Sequence, residues 1–273
     1  LPDVQVRGVL RVEEAARQFA ERVAAPPPGV EGLAVWDRPL CLEIDNLSPD
    51  TTRALRDRIG ERARAVGLGW APDGCQANVI VVATSQGAAT ARGLVEDNPV
   101  AFRPADRFTQ LDGHALRRFM DSDAPVRWWT VSLPVNEFTR KPLVALRGSG
   151  PGSGLMTGRL HFGEDAHYVM ASVVVVIDAA KTGEVPISTL ADYIAFTILA
   201  QVDDTADYTG QPTILNLFQP GDSPDELTAW DVAYLRALYE APLRWSGLSR
   251  RQRDIARHMA TPTPASTPDA SPR

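Results

Sequence analysis

Two nearly charge-free apolar runs, Asn78–Thr84 (NVIVVAT) and Ala171–Asp178 (ASVVVVID), constrain this chain more than any other feature. Both are short and rich in valine, so they read as strands, and a strand without a polar face has to be covered on both sides. Helix patterns stand ready to cover them. Ser48-Pro49-Asp50 marks a helix start, with Ser48 placed to cap it and Pro49 suited to its first turn. Leu55, Ile59, Ala63 and Val66 then face inward at helical spacing, while Arg53, Asp57, Glu61 and Arg64 face mostly outward. Gly67 and Gly69 end that helix, and another is expected over about Gly87–Glu96. The order strand, helix, strand, helix from Cys41 to Glu96 predicts an α/β (α+β) fold, a mixed sheet covered by helices.

Around this unit the expected organisation is an N-terminal helix and linker (1–29), one globular domain (30–260) and a disordered tail (261–273). Val12, Ala15, Ala16, Phe19 and Val23 recur at helical spacing up to the break at Pro26-Pro27-Pro28. LAVWDRPLCLEI reads as an irregular strand interrupted by Pro39. A helix is expected around Gly113–Met120, followed by the strand Val126–Leu133, whose tandem Trp128 and Trp129 must point to opposite faces. Gly148-Ser149-Gly150-Pro151-Gly152-Ser153-Gly154 has the composition of a mobile loop. Thr228 and Asp231 have the spacing of a short capping box, opening a helix that carries Trp230, Tyr234, Leu235, Leu238 and Tyr239 and stops at Pro242. The last helix, Leu248–Met259, presents Arg250, Arg251, Arg253 and Arg257, a solvated basic face or a contact for acidic lipid headgroups or an acidic partner. TPTPASTPDASPR lacks large apolar residues and is expected to be disordered.

Several function classes are excluded at this level. A net charge of −6 argues against broad electrostatic binding of nucleic acid. The longest apolar run, YVMASVVVVI, is about half the roughly 20 residues of a membrane-spanning helix, so no transmembrane segment is expected. Leu1 in place of an initiating Met leads us to expect an upstream segment, with a secretory signal peptide as the candidate. Thr84-Ser85-Gln86-Gly87 lacks the glycine pattern of a phosphate loop, and no Gly-x-Ser-x-Gly elbow occurs. His161 and His167 flank Gly163-Glu164-Asp165, a hairpin turn at which two imidazoles and Glu164 or Asp165 could meet a metal. Their spacing is not that of a zinc motif, so solvated or hydrogen-bonded histidines are the favoured reading, and neither metal nor cofactor is expected. His114 and His258 stand alone.

The focal element is the helix within Ile187–Asp204. Leu190, Ile194, Ile198 and Val202 trace an apolar stripe that Ala191, Ala195 and Leu199 widen into a buried face. Asp192 lies on this apolar element, and a buried carboxylate demands partners. Tyr208, an arginine such as Arg127, or backbone amides could supply them, giving Asp192 a structural role. The catalytic alternative pairs Asp192 with Asp203 or Asp204 as acid and base.

The LADY helix at Leu190–Tyr193, the PTILNLF loop and the Leu-Thr-x-Trp-Asp-x-Ala-Tyr-Leu helix resemble a group of secreted, uncharacterised bacterial proteins that are distantly similar to zincin-like metallopeptidases. Pro39-Leu40-Cys41 before a strand and Cys75-Gln76-Ala77-Asn78 opening VIVVAT belong to the same resemblance, whose pieces cover most of residues 30–260. It implies a degenerate zincin-like layout: a helix after a long apolar strand, a short loop, then a capped helix. In a working enzyme the first helix would carry His-Glu-x-x-His, its histidines one turn apart on one metal. Asp192, Tyr193 and Phe196 stand at those positions here. Cys41 and Cys75, 34 positions apart, read alone as either a bridge or two buried thiols; with the resemblance, a disulfide and an oxidising compartment are expected. The function expected is that of a non-catalytic, secreted or periplasmic protein, binding a peptide or protein partner through a former cleft at Asp192, Tyr193 and Phe196. The alternatives are a hydrolase with an atypical site at Asp192 and Tyr193, aided by His161 or His167, and a structural module of a cell-envelope assembly with an exposed apolar patch near the tandem tryptophans. Oligomeric state is left open.

Overall fold

A computed structural model describes residues 2–30, 32–72, 74–148, 166–221, 223–240 and 248–260. The expected loop after Gly148, His161, Glu164, Asp165, Pro242 and the tail 261–273 lie outside the described residues. Four strands form one sheet in the order β1-β2-β4-β3: β1 (Leu42–Asp45), β2 (Val79–Thr84), β3 (Val126–Asn136) and β4 (Ala166–Asp178). β1 and β2 pair in parallel, as do β2 and β4, while β3 runs antiparallel along β4 with a register shift at Val131/Ser132. The sheet is therefore mixed.

Alternation along the strands divides the core in two. Val79, Val81 and Ala83 of β2 and Val173, Val175 and Ile177 of β4 face α2 (Pro49–Ala65) and α6 (Ile187–Leu199), whose Leu55, Ile59, Ile194 and Ile198 complete the larger cluster. The opposite face sets Val176, Trp129 and Val131 against α3 (Gly87–Asp97), the short α4 (Pro99–Phe102) and α5 (Gly113–Asp121), through Ala91, Phe102, Leu116 and Phe119. Trp128 packs into the first cluster and Trp129 into the second. Helices on both sides bury most of the β2–β4 pair, and Ile80 and Val174 on the second face are left half-buried.

A further helical layer lies outside α6. In it, α1 (Pro2–Val23) packs on α8 (Leu248–Ala260), and α7 (Ala229–Glu240) packs on α8 and α6. Phe19 of α1 meets Trp230 and Tyr234 edge-on at 5.6 and 5.7 Å. At the start of the sheet Cys41 and Cys75 form a disulfide with their Cα atoms 6.0 Å apart. Asn78 reinforces the same corner, accepting from Cys41 N at 2.8 Å and donating to the Pro39 carbonyl at 3.0 Å. No helix among the described residues is long and apolar enough to cross a membrane.

Candidate functional site

α6 is apolar on nearly all sides, and every residue from Thr189 to Leu199 is buried. It ends at Leu199, earlier than the stripe through Val202 suggests, because Ala200 turns extended and Val202 bridges Ala24 near the end of α1. Pro186 occupies the N-cap position, and the Thr189 hydroxyl donates to the Asp225 carbonyl at 2.6 Å. Its last carbonyls are met by aromatic donors from two distant places. The Trp36 indole donates to Ile198 O at 2.8 Å and the Tyr239 hydroxyl to Leu199 O at 2.9 Å. These contacts satisfy groups that a helix end otherwise leaves open. Beyond the helix, the Trp128 indole donates to Val202 O at 3.2 Å.

Asp192 has 0% exposure and is engaged completely. Arg58 donates from Nε and Nη2 at 2.8 and 2.9 Å, and Arg62 does the same at 2.8 and 2.7 Å. Leu227 N adds a fifth hydrogen bond at 3.0 Å. Two bidentate forks on one carboxylate, each charge-assisted, are a strong and directional arrangement. Burial by itself would raise the Asp192 carboxyl, but hydrogen bonds from Arg62, Arg58 and Leu227 outweigh it and hold the group below the usual aspartate value. Glu226, at the surface, also accepts from Arg58 Nη2 at 3.2 Å.

The partners expected for Asp192 are thus only partly those observed. A backbone amide takes part, whereas the Tyr208 hydroxyl donates to Asp203 O at 2.8 Å and Arg127 donates to Ala124 O at 3.1 Å. Buried Arg127 keeps Nε and Nη1 without partners among the described residues. Arg58 and Arg62 escaped sequence reasoning. They sit one turn apart beside Ile59 and Ala63, and an arginine pair flanking a buried stripe is the signal that could have found them.

Tyr193 and Phe196, the other residues expected in a cleft, are 7% and 0% exposed. Tyr193 packs between Trp128 and Phe218, with ring centroids 6.1 and 5.2 Å away, and burial raises its hydroxyl pKa. Phe196 packs on Tyr234 at 5.9 Å. The segment between α6 and α7 passes over this face and is tied down by Phe218, Leu227 and the Asp225 carbonyl. Asp203 accepts from Thr205, and Asp204 receives both nitrogens of an Arg118 fork at 3.1 and 2.9 Å. Each acidic group of the catalytic alternative is therefore bound to a different partner. His167 is buried and accepts from Arg140 Nη1 at 3.0 Å, while Arg140 also pairs with Asp37. No group of His, Cys, Asp and Glu among the described residues is arranged to hold a metal ion.

Beside α6, along the outer edge of β3, Leu111, Ala115, Trp128, Thr130, Val202 and Asp204 line a slit of about 20 Å³. Thr130 Oγ1 is buried there without a hydrogen-bond partner among the described residues. Trp129 is fully packed and Trp128 half-buried, so the tandem tryptophans form no exposed patch.

No protein-family model, curated protein or solved structure matches this chain. Fold and site define a mixed α/β protein whose central helix is pinned by one doubly clamped carboxylate.

Proposed function

We propose that this is a non-catalytic, exported protein built on a degenerate zincin-like layout, which binds an extended peptide or protein segment along the outer edge of β3. The observation that carries the reading is the state of Asp192. At the place of the first motif histidine stands a carboxylate with five hydrogen bonds, used as a structural clamp. The layout is supported by the succession of long strand β4, buried helix α6, a connecting segment and capped helix α7. Export is supported by the Cys41–Cys75 disulfide, since such bonds persist in oxidising compartments. Binding is supported at the first half of β3, Val126–Thr130, by its place at the sheet edge and by the slit beside Trp128 and Thr130; further along, Ser132 N, Pro134 O and Asn136 N already bond Thr109, Leu143 and Lys141. An edge strand offers main-chain groups to an added strand.

Two measurements test this. Protein purified without a metal-affinity tag or chelator is assayed for zinc by mass spectrometry and for cleavage of unfolded casein. Near-stoichiometric zinc, or cleavage lost in Asp192→Ala, overturns the non-catalytic reading. A displayed random-peptide library is then selected on the wild type, with Thr130→Lys as the blocked control. Selection of peptides that bind both proteins equally removes β3 as the binding edge.

A further inference from the structure

A second opening lies apart from α6, an open cleft of about 430 Å³ between the Pro28-Gly29 turn and the segment 103–113. That volume falls in the range of small-molecule sites and is too small for a folded partner. Its apolar wall is formed by Phe108 and Leu111. Phe108 holds a left-handed backbone (φ 68°), a costly conformation for a bulky residue. Gly29 faces it at φ 79°, and a Cβ on Gly29 would stand 3.1 Å from the Phe108 ring, so glycine is what lets the two walls come this close.

Two arginines and two aspartates line the opening, and the aspartates have partners of their own. Asp106 is paired with Arg147, and the Asp112 carboxylate accepts from His114 N and Ala115 N, both at 2.9 Å, as the cap of α5. Arg103 and Arg107 line the same cleft, and neither guanidinium has a hydrogen-bond or acidic partner among the described residues. The acids are committed and the guanidinium groups are not. A guanidinium is suited to forked recognition of a carboxylate or phosphate.

We infer that this cleft binds a small organic anion with an aromatic or branched apolar body, its acidic group taken by Arg103 and Arg107 and its body laid against Phe108 and Leu111. The site is independent of the β3 reading, and Leu111 alone borders both openings. Calorimetric titration with phenyl phosphate and with N-acetylphenylalanine tests it, using phenol, inorganic phosphate and N-acetylphenylalanine amide as the separated halves and neutral form. The expected result is saturable binding of at least one intact anion, about tenfold or more tighter than its controls, and weakened about tenfold or more in Arg103→Ala/Arg107→Ala. Both arginines are exposed, so that variant should melt like the wild type. Phenyl phosphate bound alone points to a phosphorylated small molecule; N-acetylphenylalanine bound alone points to a free acid or a peptide C-terminus. The inference is overturned if neither anion binds saturably. It is overturned equally if Arg53→Ala/Arg250→Ala, which removes two exposed arginines elsewhere, weakens binding as much. Thr130→Lys should leave this binding unchanged, so failure here and failure at β3 are told apart.

Discussion

Leu227 N donates to Asp192 Oδ2 over 3.0 Å, so the carboxylate clamped by α2 also holds the chain entering α7. One side chain thereby joins three elements that lie far apart in sequence. The arginines meeting it are 134 and 130 residues upstream, and the amide is 35 residues downstream.

Removing the arginines should reveal cooperation. Arg58→Ala or Arg62→Ala leaves one complete fork on Asp192, at a cost of about 1 kcal/mol each. The double variant strands a buried carboxylate with a single backbone donor and should cost about 4 kcal/mol, well beyond the sum. Urea unfolding of the four proteins measures this, and additive losses would falsify the shared-clamp description.

Asp231 invites a different substitution. It is buried and accepts from Ile214 N and Thr228 N on Oδ2 and from Thr213 Oγ1 on Oδ1, at 2.6 to 2.9 Å, while its own N–H donates to Thr228 Oγ1, whose one proton lies closest to the Pro212 carbonyl at 2.6 Å. Asp231→Asn can keep its oxygen at the Oδ2 position, but its NH2 group then meets the Thr213 hydroxyl, which has to accept where it donated, and the loss should be about 1 kcal/mol despite the near-identical shape. Chemical denaturation of Asp231→Asn shows whether the loss occurs; wild-type stability would mean that the loop turns to accept the amide.

What could be read from the sequence follows how local each signal is. The Ser48 cap, the Thr228–Asp231 box and the period-two split of Trp128 and Trp129 involve neighbours in the chain, and each stands as expected. β2 and β4 were legible because an unbroken valine run has few other uses. The partners of Asp192 were not legible, since helical periodicity says that a face is buried without saying what covers it. The early end of α6 was hidden for the same reason: Trp36 and Tyr239, which meet its last carbonyls, reach it from outside its own segment.

The disulfide should stabilise without being needed for the local pairing. Closing a loop over a separation of 34 residues restricts the unfolded chain by about 4 kcal/mol on the entropic account. Asn78 still links Cys41 and Pro39 when the bridge is absent. Cys41→Ala/Cys75→Ala should therefore unfold at lower urea yet keep the wild-type far-ultraviolet circular dichroism. A collapsed spectrum in buffer would show that Asn78 alone does not hold the β1–β2 corner.

The pH dependence of stability should divide into two windows. Burial, helped by the Arg140 guanidinium, lowers the His167 pKa from its ordinary 6.5, and Glu137 opposes this weakly. Arg140 donates to Nε2, which requires that nitrogen to be unprotonated, and Asp37 holds Arg140 in place. With the folded value below the unfolded one, the contribution of His167 is complete above about pH 6.5 and declines as pH falls through the folded value. Asp192 is also depressed, so its contribution persists to lower pH and is lost only below the ordinary aspartate value of 3.8. Unfolding free energy measured from pH 8 to pH 3 should thus fall in two steps. His167→Gln should remove the upper step and leave the lower one, because an amide oxygen can accept from Arg140 without titrating. An upper step that survives in His167→Gln would assign it to another group and break the link between Arg140 and the His167 tautomer.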